Sequence, residues 1–308
     1  MPTALISHHD CVLHVNGSGH PECPQRIDAI NDQLKKQDVY DYLVHVDAPR
    51  ATREHLVLGH SEAYVDLIHR KSPTNGSIQL DADTAMNVHT LDASLRAAGA
   101  GILAVDKVLS GAVNNAFCLT RPPGHHAERL QAMGFCFFGN IAIAARHAIR
   151  QYGMERVAIV DFDVHHGNGT EDIVDGDPKI LFCSSFQFPF YPGGYRDNVA
   201  NQRVNTPLKS GCNSADFRAA ITRTWLPALE EFQPEMLFIS AGFDAHLEDP
   251  LANICLLDAD YVWITQKLMD VADRHCSGRI VSMLEGGYAL PALSRCATAH
   301  VRGLMALQ

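Results

Sequence analysis

Seven short apolar runs divide this chain, and the segments between them are equally regular. Ala4–Ser7, Val44–Val46, Ala116–Leu119, Val157–Val160, Ile180–Ser184, Met236–Ser240 and Ile280–Leu284 are too short for helices and read as buried strands. Between them lie amphipathic segments at helical spacing, among them Leu91–Leu109, Ile141–Gln151, Ser214–Glu231 and Asp258–His275. This βαβ rhythm predicts an α/β fold, a mostly parallel sheet flanked by helices on both faces. The stretch up to about Val88 is less regular and richer in turn residues. No linker, repeat or low-complexity tract interrupts the chain, which reads as a single domain over residues 1–308.

The ends of these strands carry polar, glycine-rich segments. Arg121-Pro122-Pro123-Gly124-His125-His126 comes after one run, and Ser184 and Ser185 end another. Ala241-Gly242-Phe243-Asp244 and then Glu248-Asp249-Pro250 come after a third, and Glu285-Gly286-Gly287-Tyr288 after a fourth. In parallel α/β sheets the carboxyl edge is where ligands bind. The densest case is Val157–Thr170, a buried strand running into Asp161, Asp163, His165 and His166, then Gly167-Asn168-Gly169. Four ionisable groups there are costly to bury without a partner. A divalent metal fits, since carboxylate oxygen and imidazole nitrogen both ligate zinc. Residues two apart in a strand sit about 7 Å apart, too far to share one ion, so the chain must curl just past the strand. A polar loop capping a helix is the bland alternative, but a cap needs no pair of histidines.

Composition narrows the class. With 46% hydrophobic and 19% charged residues the chain has an ordinary globular balance. Its formal net charge of −10 argues against nucleic acid as a partner. No apolar run approaches the roughly 18 residues needed to span a bilayer, so no membrane partner is expected. The start, Met-Pro-Thr-Ala-Leu-Ile-Ser-His-His, does not read as a signal peptide. Nine cysteines without pair spacing favour a reducing, cytoplasmic setting.

Taken in order, these motifs resemble the zinc-dependent histone deacetylase superfamily, in its class II and bacterial amidohydrolase-like branch. The likeness runs from His20-Pro21-Glu22-Cys23-Pro24 to Tyr288 and implies the three-layer arginase/deacetylase fold. By resemblance, Asp163, His165 and Asp249 are the zinc ligands. His126 is the general base and then general acid, His125 supplies electrostatic stabilisation, and Asp161 and Asn168 are their respective partners. Tyr288 matches the oxyanion tyrosine, on a loop that Gly286 and Gly287 would let swing. Gly134-Phe135 and Tyr191 match the walls of a substrate tunnel. Leu256 falls at the rim position where a Glu marks polyamine-selective relatives. Asp83 is a candidate rim carboxylate, with a helix cap before Ala85 as its alternative. The family's potassium site maps onto Asp161 and Ser184 with carbonyls of Asp163, His165 and Ser185.

Some positions depart from the pattern. Glu248 stands where Gly is usual, so it should resist positive φ and add a carboxylate near the metal. Gly139, Phe186 and Tyr191 also differ. The resemblance implies Zn2+ as catalytic cofactor and K+ as a structural one, although the ligand types suit iron(II) as well. It implies an acyl-lysine protein or peptide, or a small acyl-amine, as substrate. Leu256, and the lack of a long insertion between Asp66 and Asp83, argue against acetylpolyamines. A catalytically silent binding module is disfavoured by retention of both histidines and Tyr288. A dimanganese arginase-like site would want more Asp in place of His-Gly-Asn-Gly. The oligomeric state stays open, with homodimer and homotetramer among the alternatives.

Overall fold

The computed structural model describes residues 2–307. In chain order the elements are β1 (Thr3–Ser7), α1 (Asp10–Leu13), α2 (Gln25–Lys36), β2 (Val44–Asp47), α3 (Arg53–Leu56), α4 (Glu62–Lys71), β3 (Ser77–Gln79) and β4 (Ala85–Asn87). Next come α5 (Thr90–Leu109), β5 (Asn115–Cys118), α6 (Asn140–Tyr152), β6 (Val157–Asp161), α7 (Asn168–Val174), β7 (Ile180–Gln187) and β8 (Arg203–Leu208). The chain closes with α8 (Ser214–Phe232), β9 (Met236–Ala241), α9 (Asp258–Val271), β10 (Ile280–Leu284) and α10 (Leu290–Leu304).

Eight strands form one sheet in the order β2-β1-β5-β10-β9-β6-β7-β8. Every pairing in it is parallel. The period of two is visible in what each face packs against. Leu5, Phe117, Val160, Ile239 and Leu284 join α2, α8, α9 and α10, through residues such as Ile30, Trp225, Ile264 and Val301. Ile6, Cys118, Ile159, Phe238 and Met283 face α5 and α6, against Val105 and Ile141. Each fully buried Ile or Leu contributes about 1.5–3 kcal/mol. No helix among the described residues is long and apolar enough to cross a membrane.

Three elements depart from the expected pattern. The edge strand β8 contains Pro207, which an edge strand tolerates because its missing N–H is not needed by a neighbour. Residues 77–87, expected to be irregular, contain the antiparallel β3–β4 pair. Ala85 therefore opens a strand, and the cap alternative for Asp83 falls. Helix α9 ends at Val271 and passes into a wider π turn over Ala272–Cys276, short of the anticipated His275.

Candidate active site

Four neighbouring strands, β5, β10, β9 and β6, bring their carboxyl ends together, and each carries one of the motifs. Strand β6 stops at Asp161, level with Ser184 on β7 and Ser240 on β9, and the chain curls before α7 begins at Asn168. The curl folds Asp163 and His165 onto each other, with Asp163 Oδ1 accepting the His165 N–H at 2.9 Å.

The third member of the cluster is Asp244. One ligand atom each from Asp163, His165 and Asp244 lies within 4.8 Å of the others. His165 Nδ1 is 3.1 Å from Asp163 Oδ1 and 3.2 Å from Asp244 Oδ2. Asp249, the third ligand that the resemblance implies, lies within electrostatic reach of Asp163 and Asp244 and also accepts backbone donors. Its Oδ2 accepts the N–H groups of Tyr288 (2.7 Å) and Ala289 (3.2 Å), and its Oδ1 that of Leu251 (3.0 Å). Asp249 thus anchors the tyrosine loop.

The donor set fits a cation. Asp244 Oδ2 is buried and has no properly aligned hydrogen-bond donor. Burial and the facing Asp163 carboxylate push the Asp244 carboxyl up to about 7. Two carboxylates and an imidazole converge on one point, a donor set that suits a divalent cation. Gly286 makes this packing possible. A Cβ there would sit 2.1 Å from Asp244 Oδ2 and 2.5 Å from Asp163 Oδ2, while its N–H donates to Asp163 Oδ2 at 2.8 Å. The expected role of Gly286 as a swing point gives way to close approach.

The tandem histidines stand beside this cluster, ring centroids 4.0 Å apart. His125 Nδ1 is 2.9 Å from Asp161 Oδ2, and His126 Nδ1 is 2.7 Å from Asn168 Oδ1. Burial disfavours charge on both rings, and the two resolve oppositely. Asp163 and Asp161 outweigh burial at His125 and hold it well above the usual histidine range. Burial, with the neighbouring His125, keeps His126 well below it. Glu285, which the sequence reading gave no role, holds their backbone. Its Oε2 accepts the N–H groups of Gly124 at 2.7 Å and His125 at 3.2 Å. Arg26, also unassigned, packs over the Tyr288 ring at 5.1 Å and donates to the Gly287 carbonyl at 2.7 Å.

Tyr288, Phe135, Tyr191, Gly134 and Asp83 line a cavity of about 90 Å³ together with His126 and His165. Phe135 and Tyr288 lie edge to face, centroids 6.1 Å apart, and Tyr191 meets His126 edge-on at 5.1 Å. Phe135 has φ of 68°, a strained left-handed residue, and succeeds Gly134 at 56°, which glycine adopts without cost. Such strain costs on the order of 1–3 kcal/mol and persists where a side chain must be aimed. The rim leucine is Leu251, which lines the cavity. Leu256 is 1% exposed and packed in the core, because its backbone pairs back onto Ala245 and Leu247. Glu248 lies away from the expected place too. It avoids positive φ, donates its N–H to His246 Nδ1 at 3.1 Å and gives its carboxylate to Arg295 at 2.7 Å. A second cluster, His246, Asp258 and Cys296, is satisfied internally, since Arg295 donates to both Asp258 oxygens. Ser184 and Ser185 are buried beside Asp161, and Ser184 Oγ lies 3.1 Å from His166 Nδ1.

A parallel α/β fold with paired histidines beside an Asp/His cluster defines an amide hydrolase of the deacetylase type. A family profile for the histone deacetylase domain matches residues 20–304, and the chain belongs to that family. It is 36% identical to a probable deacetylase of Archaeoglobus fulgidus, over 94% of this chain and 82% of that one. It is 37% identical to the polyamine deacetylase HDAC10 of Mus musculus, over 99% of this chain and 48% of that one. Among solved structures, the HDA15 HD domain superposes with a TM-score of 0.92 at 34% identity, covering 99% of this chain and 90% of that one.

Proposed function

We propose that the chain is a zinc-dependent deacetylase that removes acetyl or short acyl groups from N-ε-acyl-lysine side chains. The observation that carries this reading is the convergence of Asp163, His165 and Asp244, with Asp249 close by, behind an aromatic-walled cavity lined by His126, His165 and Tyr288. Zinc held there would supply Lewis-acid polarisation of the amide carbonyl and lower the pKa of a water. His126, kept neutral by burial, would take a proton from the attacking water and deliver it to the leaving amine. His125, paired with Asp161, stays cationic and stabilises the negative charge that develops. Burial keeps the Tyr288 phenol protonated, so it can donate to the developing oxyanion. Phe135 and Tyr191 hold an apolar stem and exclude water. Asp83 accepts from substrate amides at the rim. Asp161 and Ser184, with the carbonyls of Asp163, His165 and Ser185, suit a structural potassium ion.

An acetyl-lysine peptide, a trifluoroacetyl-lysine peptide and N-acetylputrescine, each with and without chelator, test the reading. Chelator-sensitive turnover of the peptides with little on the polyamine is expected, and zinc-loaded protein that turns over nothing would sink it. Tyr288→Phe should keep the metal and lose roughly 10²-fold in kcat, as loss of an oxyanion donor does. The reverse, full turnover without the phenol, would remove Tyr288 from the chemistry.

Polyamine deacetylation is the second reading, favoured by the likeness to the mouse relative. The apolar Leu251 opposes it, since nothing at that rim position attracts a second ammonium. Leu251→Glu should raise polyamine kcat/KM relative to peptide by about fivefold, the worth of one partly exposed ion pair. An unchanged ratio would show that selectivity is set elsewhere.

A further inference from the structure

The pairing of His126 with Asn168 continues one residue further. Asn168 Nδ2 lies 2.7 Å from Glu128 Oε1 and 3.3 Å from Met133 Sδ. A carboxylate and a thioether only accept, so the NH2 end of the amide must face them. Asn168 Oδ1 is thereby the end turned to His126 Nδ1, 2.7 Å away. An amide oxygen has no proton to give, so His126 Nδ1 must carry one. In a neutral ring that leaves the lone pair on Nε2, the nitrogen on the opposite edge.

We propose that Glu128 is a positioning residue for hydrolysis, fixing the tautomer of His126 through the orientation of the Asn168 amide. This rests on the reading of His126 as general base. The comparison with His125 shows why the device is needed. Its partner Asp161 presents only acceptors, so either rotamer of the carboxylate selects Nδ1–H. Asn168 can present either end. A flipped amide would donate to Nδ1 and place the ring proton on Nε2, where it blocks proton abstraction. A third group must choose, and Glu128 does.

Glu128 is itself placed for this. Its carbonyl oxygen lies 2.9 Å from His60 Nδ1, while His60 Nε2 accepts the Gly139 N–H at 2.9 Å. One ring nitrogen of His60 accepts, so the other donates, and the segment carrying Glu128 is pinned. Its own N–H donates to the Gln131 carbonyl at 2.9 Å. Among the described residues the Glu128 carboxylate makes no ion pair, and Asn168 is its hydrogen-bond partner. A purely structural role has little else to hold.

The test is Glu128→Gln, isosteric but able to present either donor or acceptor to Asn168. In metal-loaded protein with ¹⁵N-labelled histidine, the His126 signals should move from the Nδ1–H pattern toward Nε2–H. On an acetyl-lysine peptide, kcat should fall about fivefold with KM little changed, the worth of one oriented hydrogen bond. Asn168→Ala combined with Glu128→Gln should lose no more than Asn168→Ala alone. Glu128→Asp keeps an acceptor-only end and should hold the wild-type tautomer. An unchanged His126 spectrum in Glu128→Gln, or losses that multiply in the double variant, would overturn the proposal. If the unaltered protein turns over no acyl-lysine, the deacetylase reading fails, and the spectra alone still decide the tautomer.

Discussion

Asp244→Asn and Asp249→Asn should each weaken metal binding and cut deacetylation, and Asp249→Asn should disturb Tyr288 as well. The first change removes an anionic oxygen from the cluster formed by Asp163, His165 and Asp244. Metal content measured after dialysis should drop. Turnover should fall by roughly 10³-fold or more, because the metal contributes several kcal/mol to the reaction. The second change touches a carboxylate that accepts from Tyr288, Ala289 and Leu251. An amide there can turn a donor toward those N–H groups and displace the tyrosine. Loss of a positioned oxyanion donor costs about 10²–10³-fold in kcat. Metal retained in full by either variant would remove that carboxylate from the metal's ligands.

The segment that carries these two aspartates is the least legible part of the site. The alternation of apolar runs and helical segments was enough for the sheet, because a strand buried on both faces leaves a nearly continuous apolar signature. The residues of the tandem histidine, Asp161–Asn168 and Glu-Gly-Gly-Tyr motifs all arrive at one edge. The segment after β9 carries both Asp244 and Asp249 and folds over through the His246–Leu256 bridge. Spacing alone does not say which carboxylate faces β6 once the chain reverses. A usable signal was present. Asp244 comes three residues after the strand end Ala241 and Asp163 two after the strand end Asp161, and Gly242 lies where a Cβ would strike Asp163. The same reversal put Leu256 in the core and Leu251 at the rim. Helix α2 was legible in principle from Ile27, Ile30 and Leu34, and α10 from Leu293, Ala297, Val301 and Leu304. Glu128 was beyond reach, since its partner is forty residues away and the link is one side-chain amide.

Glu22→Gln should destabilise the fold by about 3–5 kcal/mol, the usual result of stripping one partner from a buried ion network. Glu22, Arg26 and Arg121 are all 0% exposed. Glu22 receives Arg121 through two nitrogens, one of them at 2.6 Å, and Arg26 at 3.2 Å, with Asn16 Nδ2 at 3.0 Å. A Gln at this place keeps the shape but turns an NH2 toward guanidinium donors and leaves two buried cations under-compensated. In thermal melts the midpoint should fall by about 5–15 °C. The pH dependence fixes the cause. Burial opposes the Glu22 charge, but Arg121 and His14 hold its carboxyl well below 4.5. A depressed carboxyl stabilises the fold above its unfolded value and loses that contribution as pH falls toward its folded one. The gap between unaltered protein and Glu22→Gln should therefore be flat above about pH 5 and narrow in more acid solution. A gap that widens in acid, or one below about 1 kcal/mol at neutral pH, would mean the network is not what holds this corner. The consequence reaches the chemistry, because Arg26 also donates to the Glu285 and Gly287 carbonyls that precede Tyr288. A variant that still folds at low temperature should bind metal normally and yet turn over slowly, with its loss in kcat rather than in KM.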